Sequence, residues 1–248
     1  MIWGIHHSKW KQIPLSKKEG LLIALLGLIG YYLASYFDFM GLTLISASLE
    51  RLILFSYPTI VLILSAFILK KKITKVQIIS ILITYLGIAI IFIDRGGITI
   101  GTTDTLLTGA FFIGLSAFTY ALYLVGSNFM IAKVGSIRLT TFSMLVSCSA
   151  VIIHYLLTSE IDLLGYQKEV YFLSFLMAIV ATVIPSFLIN EAIKRIGAPT
   201  VSIIGSLGPV STITLSIIFL GEMLTLTQFF GAFIIILGVI FISLSSRK

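Results

Sequence analysis

Long apolar runs dominate this sequence and restrict its fold more than any other feature. Eight segments are apolar over roughly the 20 residues that a helix needs to cross a bilayer. They are 20–42, 47–69, 76–93, 106–127, 139–157, 170–192, 199–220 and 228–245. Only 11% of the 248 residues are charged, whereas a soluble domain carries about a quarter. Because lipid solvates apolar side chains and helices satisfy their own backbone, the sequence predicts an all-α membrane protein with eight transmembrane helices.

Positive charges lie in the short segments between these runs. With the N-terminus inside and the spans alternating, fourteen of the seventeen Lys and Arg residues fall in inner segments. Arg95 and Lys168 fall outside, and Arg51 lies within a span. Because Lys and Arg are enriched in cytoplasmic loops, a multi-pass protein of the cell membrane with both termini cytoplasmic is expected. The same distribution argues against a nucleic-acid partner.

Three polar pairs stand directly before apolar runs. They are Ser16 with Glu19, Thr74 with Gln77, and Thr225 with Gln228. In a capping box of this type, each side chain accepts a hydrogen bond from a backbone N–H of the first turn. The three pairs therefore predict three helix starts.

The sequence also repeats itself at an offset of 151 residues. Residues 45–93 align with 196–244 without a gap. The identical pairs include Pro58/Pro209, Thr74/Thr225, Gln77/Gln228 and Gly87/Gly238. The number of spans in the repeat is odd, so equivalent helices point in opposite directions. This is the inverted-topology repeat of many secondary transporters.

The two copies differ in length. Residues 104–246 are expected to form a unit of five helices, and residues 1–95 a partial unit of three. By the same offset, the first unit lacks about 50 residues, or two helices. The sequence favours a truncated or mis-assigned start over a natural eight-helix variant.

Motifs in both copies resemble the EamA-type unit of the drug/metabolite transporter superfamily. The first copy carries Ser46-Ala47-Ser48-Leu49, Pro58, Lys71-Lys72-Ile73-Thr74 and Leu86-Gly87. The second carries Asn190-Glu191-Ala192, Ile196-Gly197-Ala198, Gly208-Pro209, Leu220-Gly221-Glu222, Leu224-Thr225 and Gly238-Val239. The resemblance implies two five-helix units with a central cavity for small metabolites or drugs, often carried outward. The chain departs from the family pattern in its shorter first unit and in Lys71, where a glutamate is usual.

On this resemblance, the chain is expected to be a secondary transporter, and an exporter, rather than an enzyme. The sequence contains no H-E-x-x-H, G-x-S-x-G or P-loop motif, and no cofactor is expected. A truncated remnant without transport activity, or a membrane-embedded enzyme or flippase subunit, is the alternative. The expected partners are a small-molecule substrate and the lipid bilayer. The sequence leaves open whether the chain forms a homodimer.

Charged residues within the apolar runs are candidates for substrate binding. Glu50 and Arg51 begin the second run, and Asp38 lies near the end of the first. A charge at the centre of a spanning helix costs about 2.5–3.5 kcal/mol, so such groups face a cavity or a partner. Glu50 and Arg51 are expected to bind a small polar or zwitterionic metabolite near the outer mouth. An ion pair between Arg51 and Asp38, or snorkelling to lipid headgroups, is the alternative.

Four uncharged side chains complete the expected substrate site: Tyr57, Tyr120, Tyr123 and Asn190. Tyr120 and Tyr123 share a helix face, and buried Tyr hydroxyls need polar partners. Tyrosines near helix ends are also common interface anchors. For Glu191, which follows Asn190, a solvated pair with the basic residues at i+3 and i+4 is favoured.

A hinge is expected at mid-span in both copies, at Pro58 and at Gly208 with Pro209. Proline frees a carbonyl four residues earlier and bends a helix. Simple accommodation of helix packing is the alternative, because glycine lets helices approach closely.

Overall fold

Helices are the regular elements of the computed structural model, which describes residues 15–45, 47–70, 72–94, 103–158, 165–220 and 225–245. No strand occurs in these ranges. The helices are α1 Lys17–Leu42, α2 Ala47–Leu54, α3 Tyr57–Ile68, α4 Lys75–Asp94, α5 Thr103–Val134, α6 Ser136–Thr158, α7 Lys168–Ile196, α8 Ala198–Gly205, α9 Gly208–Leu220 and α10 Leu226–Ser245. The predicted all-α class is confirmed.

Four of these helices, α1, α5, α6 and α7, are individually long and apolar enough to cross a membrane. Shorter apolar helical segments lie at Tyr57–Ile68, Lys75–Ile90 and Phe229–Ile242. The chain is thus a multi-pass membrane protein. The total of eight spans stays a prediction.

Capping boxes begin two of the helices. At α1, the Ser16 N–H donates to Glu19 Oε2 (2.9 Å) and the Glu19 N–H donates to Ser16 Oγ (3.3 Å). At α4, the Thr74 N–H donates to Gln77 Oε1 (3.0 Å) and the Gln77 N–H donates to Thr74 Oγ1 (3.2 Å). Both predictions are confirmed. For the third box, the Gln228 side chain lies outside the described residues, and α10 begins directly after Thr225.

Two apolar runs that the sequence presents as continuous are interrupted in the structure. One is divided into α2 and α3, and the other into α8 and α9. Each first half ends four residues before a proline, at Leu54 before Pro58 and at Gly205 before Pro209. Proline has no N–H to donate, and its ring clashes with the carbonyl at i−4. The expected bends are therefore full helix breaks.

The long helix α5 lies at the centre of the fold. It packs against α1, α2, α3, α6, α7 and α8. Its side chains at Ile113, Ala117, Ala121 and Val125 are fully buried, and small residues such as alanine let neighbouring helices approach closely. By contrast, the first half of α7 has no buried side chain.

Helices α4 and α10 share one of the two most extensive helix–helix contacts in the described residues. A Cβ built on Gly87 would lie 2.6 Å from the carbonyl oxygen of Gly231, and one on Gly238 would lie 2.8 Å from Thr84 Cγ2. The contacts advance along one helix while they recede along the other, so the two helices are antiparallel. Glycine at both positions permits this close approach.

Helix boundaries recur at the offset found in the sequence. Helices α2 and α8 begin and end 151 residues apart, as do α4 and α10. The starts of α1 and α7, and of α3 and α9, have the same separation. Helices α1 and α7 also share an internal π-helical turn, at Leu28–Leu33 and Ala178–Val183.

Candidate functional site

A cavity of about 250 Å³ opens between α1, the α2–α3 break and α5. Its polar lining consists of Tyr31, Ser35, Asp38, Tyr57, Ser116 and Tyr120. Two of these residues, Tyr57 and Tyr120, were expected from the sequence. The π-helical turn of α1 carries Tyr31, and such turns are frequent at functional sites.

Tyr57 connects the two broken helices. Its hydroxyl donates a hydrogen bond to the Ser202 carbonyl oxygen of α8 (3.1 Å). That carbonyl has lost its helical donor, because the N–H of Ser206 donates to Ile203 instead (3.1 Å). A side chain at Gly205 would collide with the Tyr57 hydroxyl. The break in α8–α9 therefore supplies both the free acceptor and the space that Tyr57 needs.

Tyr120 packs edge-on against Tyr57, with ring centroids 5.3 Å apart at 71°. Aromatic pairs favour this edge-to-face arrangement because it sets the positive ring edge against the negative face. Tyr31 lies on the same side of the cavity, so three phenol rings line it.

Tyr123 and Asn190 lie behind the cavity lining. The Asn190 side chain, with no exposed surface, donates to the Tyr123 hydroxyl (2.6 Å) and to Thr140 Oγ1 (2.9 Å). The Tyr123 hydroxyl also shares a hydrogen bond with the Tyr31 hydroxyl (2.8 Å). Tyr123 from α5 and Asn190 from α7 thus hold Tyr31 in place. They act on the cavity through Tyr31 and do not line it themselves.

The charged side chains at the end of the cavity are Asp38, Glu50 and Arg51, and they do not form an ion pair. Asp38 of α1 lies near Glu50 of α2, and Glu50 is only 5% exposed. The Arg51 side chain is exposed. In the described ranges, the ion pairs all involve Glu191. The alternative considered for Arg51, an ion pair with Asp38, is therefore not formed, because successive helical residues diverge by about 100° and Glu50 takes the inward position.

The three expected hinge residues all lie at the helix breaks. Pro58 and Pro209 occupy the first turns of α3 and α9 and are both buried. A Cβ on Gly208 would lie 3.1 Å from the Phe55 ring, so the two breaks pack against each other. Hinge motion itself stays a prediction.

Glu191 forms the expected solvated pairs at the end of α7. Its carboxylate lies 3.6 Å from Lys194 Nζ and 3.1 Å from Arg195 Nε. It also accepts a hydrogen bond from the Ser136 hydroxyl (2.7 Å), which fixes the start of α6. This arrangement is structural and lies apart from the cavity.

Sequence reasoning did not commit to Tyr31, Asp38, Ser116 or Thr140 as site residues. Asp38 and Tyr31 carried a signal, as polar side chains inside an apolar run. Ser116 and Thr140 resemble many small polar residues of membrane helices, so the sequence could not separate them. Among the described residues, no group of three His, Cys, Asp or Glu side chains is arranged to hold a metal ion.

Comparison with known proteins identifies proteins that are similar to this chain in sequence and in fold. The sequence profile of the EamA-like transporter family matches residues 1–93 and 107–244. The uncharacterized transporter YcbK of Bacillus subtilis is 33% identical over 100% of this chain and 81% of that protein. YyaM, an uncharacterized transporter of the same organism, is 28% identical over 90% of this chain and 73% of its own length.

A more distant relative and a solved structure agree with these matches. The uncharacterized inner membrane transporter YicL of Salmonella typhimurium is 24% identical over 98% of this chain and 80% of that protein. A solved crystal structure superposes with a TM-score of 0.77 over 91% of this chain and 77% of the other, at 17% identity. At that identity, the superposition establishes a shared fold.

Proposed function

Because this chain belongs to the EamA-like transporter family, we propose that it is a secondary transporter that exports a small polar metabolite or drug across the cytoplasmic membrane. Membership of a transporter family makes it a membrane transporter of the drug/metabolite type rather than an enzyme. Export, and the polar character of the substrate, are the proposed steps beyond that.

The cavity lined by Tyr31, Asp38, Tyr57 and Tyr120 is the observation that supports this proposal. Polar side chains inside a membrane protein cost free energy unless they have partners. Its position beside the α2–α3 and α8–α9 breaks is where transporters with discontinuous helices bind substrate. Of the residues expected to bind substrate, Tyr57 and Tyr120 would contact it directly, Tyr123 and Asn190 would hold Tyr31, and Glu50 and Arg51 would lie at the outer end.

We further propose that the chain has eight spans in an inverted repeat, with residues 1–95 as a three-helix unit and 104–246 as a five-helix unit. The shared helix boundaries at an offset of 151 residues support this arrangement. The antiparallel packing of the equivalent helices α4 and α10 supports it as well. Cytoplasmic termini follow from the distribution of Lys and Arg.

The function is tested by comparing the extracellular metabolites of cells that express this chain with those of cells carrying an empty vector. We expect at least one small polar metabolite to accumulate outside the expressing cells. Arg51→Gln and Tyr120→Phe should lower that accumulation much more than they lower the amount of protein in the membrane. Tyr166→Phe, at an exposed tyrosine, is the matched control and should leave it unchanged.

Two results would contradict this function. In one, no extracellular metabolite differs although the protein is abundant in the membrane. In the other, the metabolite accumulates inside the expressing cells, which would reverse the direction. If Arg51→Gln lowers abundance while efflux per molecule holds, Arg51 has a structural role and does not bind the substrate.

A further inference from the structure

We propose that a second cavity, at the corner where α7 turns into α8, binds the phosphate group of an anionic phospholipid. This corner cavity has a volume of about 580 Å³ and lies between the ends of α5 and α7 and the start of α8. Helices α5 and α7 are each long enough to cross a membrane, so a cavity between their ends lies at the membrane surface. Lipid binding there goes beyond transport and is independent of the substrate of the first cavity.

Two basic side chains form the polar wall of the corner cavity. Lys194 and Arg195 line it, and both side chains are more than half exposed, so they can turn toward a ligand. Asn128 lines it from α5. The Asn128 side-chain oxygen accepts a hydrogen bond from the Ala198 N–H (3.1 Å), so its amide nitrogen is the atom that can donate to an anion. Ammonium, guanidinium and amide N–H groups all donate hydrogen bonds to phosphate oxygens.

Positive charge exceeds negative charge at this end of the helices. The two lining cations share one carboxylate, that of Glu191, at 3.6 Å and 3.1 Å, so one positive charge stays uncompensated. At the junction of α5 and α6, Lys133 and Arg138 share the field of a second carboxylate, that of Glu19, which leaves another positive charge. Basic residues near a membrane surface attract anionic lipids, and each raises the affinity about fivefold.

The opposite wall of the corner cavity is apolar. It consists of Ile131 and Ala132 from α5 with Ile193 and Ile196 from α7, and Ile131 and Ile193 are buried. A phospholipid has a phosphate group beside a glycerol backbone and acyl chains, so it matches both walls at once. Inorganic phosphate would match only the basic wall. It would also fill a small part of a space that lies within the roughly 300–1,000 Å³ of organic-ligand sites.

The repeat provides an internal comparison for the basic pair. At the offset of 151 residues, Thr43 and Leu44 occupy the positions of Lys194 and Arg195, so the pair belongs to the second copy alone. Basic residues at helix ends also set membrane orientation, and the lysine cluster at 70–72 and 75 serves that purpose equally. Because this lysine cluster does not line the corner cavity, it supplies the matched control.

Phosphatidylglycerol is a suitable probe because it is anionic, whereas phosphatidylcholine has the same phosphate group with a compensating cation. Native mass spectrometry of the purified full chain in neutral detergent counts the lipid molecules that stay bound and gives a Kd. We expect one phosphatidylglycerol molecule to bind at least tenfold more tightly than phosphatidylcholine. Inorganic phosphate at the same concentration should not displace it.

Three variants assign the binding to the corner cavity. Lys194→Gln together with Arg195→Gln removes both lining cations and, at about fivefold per basic residue, should weaken phosphatidylglycerol binding at least tenfold. Glu191→Gln removes the competing carboxylate and should strengthen the binding about fivefold, because it leaves both cations to the lipid. Lys72→Gln together with Lys75→Gln removes the same charge from exposed positions outside the cavity and should change the Kd less than about twofold.

Opposite effects of the corner variants separate lipid binding from a structural role. If Lys194 and Arg195 only hold the end of α7 through Glu191, then Glu191→Gln will weaken lipid binding or leave it unchanged, and lipid binding at the corner is wrong. This comparison decides the question even where the double variant does not fold. Equal binding of phosphatidylcholine, an equal loss in the lysine-cluster variant, or displacement by inorganic phosphate would also overturn it, the last in favour of a site for free phosphate.

Discussion

Replacing Gly87 with alanine tests the close packing of α4 against α10. The added Cβ would lie 2.6 Å from the Gly231 carbonyl oxygen and 2.9 Å from the Ile235 backbone nitrogen. An ordinary contact starts at 3.4 Å, so the helices must separate by about 0.8 Å, and no side chain can move aside to avoid this. Overpacking of this kind costs about 1–3 kcal/mol, while glycine to alanine in a helix gains about 0.5–1 kcal/mol. We expect a net loss of about 1–2 kcal/mol.

The assay is reversible unfolding in mixed detergent and SDS micelles, with two further glycine variants as references. At Gly238 the nearest atom, 2.8 Å away, belongs to the Thr84 side chain, which can shift, so Gly238→Ala should cost less. At Gly114 a Cβ would meet nothing within 4 Å, and Gly114→Ala should be neutral or stabilising. If Gly87→Ala is as stable as Gly114→Ala, the two helices do not approach as described and the reasoning fails.

Three further predictions concern the helix break, the α7 terminus and the topology. Tyr57→Phe removes the hydrogen bond to the Ser202 carbonyl and should lower the free energy of unfolding by about 0.5–1.5 kcal/mol, measured in the same micelles. Glu191→Gln should cost under about 1 kcal/mol, because its ion pairs are exposed, and the loss should shrink further at high salt. In a cysteine-free background, Ile98→Cys should react with an impermeant thiol reagent from outside, and Ile73→Cys only after permeabilisation.

Each of these predictions has its own opposing outcome. A Tyr57→Phe variant as stable as the parent protein would mean that water serves the carbonyl equally well. A loss at Glu191 that does not depend on salt would point to the Ser136 hydrogen bond as the main contribution. Labelling of position 73 from outside, with position 98 protected, would reverse the membrane orientation.

Hydropathy and local signals allowed the sequence to define the class and the positions of the helices. The apolar runs predicted helices because backbone groups in lipid must be satisfied within the segment, and this does not depend on distant contacts. The pairs at Ser16 and Thr74 likewise act over one helical turn, and they begin α1 and α4 as predicted. The proline positions correctly predicted where helices would be disturbed. The expected disturbance was a bend, whereas the structure has a full helix break at each position.

The candidate site was predictable only in part. Tyr57 and Tyr120 could be selected because polar aromatic side chains inside apolar runs need partners, and both line the cavity. The direction of each side chain around its helix was not readable from composition. For this reason Arg51 and Glu50 had equal weight as predicted substrate ligands, although the fold turns Glu50 inward and leaves Arg51 exposed.

The sequence by itself determined that this chain crosses a membrane as helices, that it repeats at 151 residues, and that it resembles a transporter family. All three follow from local patterns or from alignment of the chain with itself. Only the tertiary structure decided which polar groups meet. Tyr31 bonds Tyr123 across 92 residues, and Tyr57 bonds Ser202 across 145. Such contacts depend on helix rotation and packing distance, which arise from all the helices together and leave no local mark in the sequence.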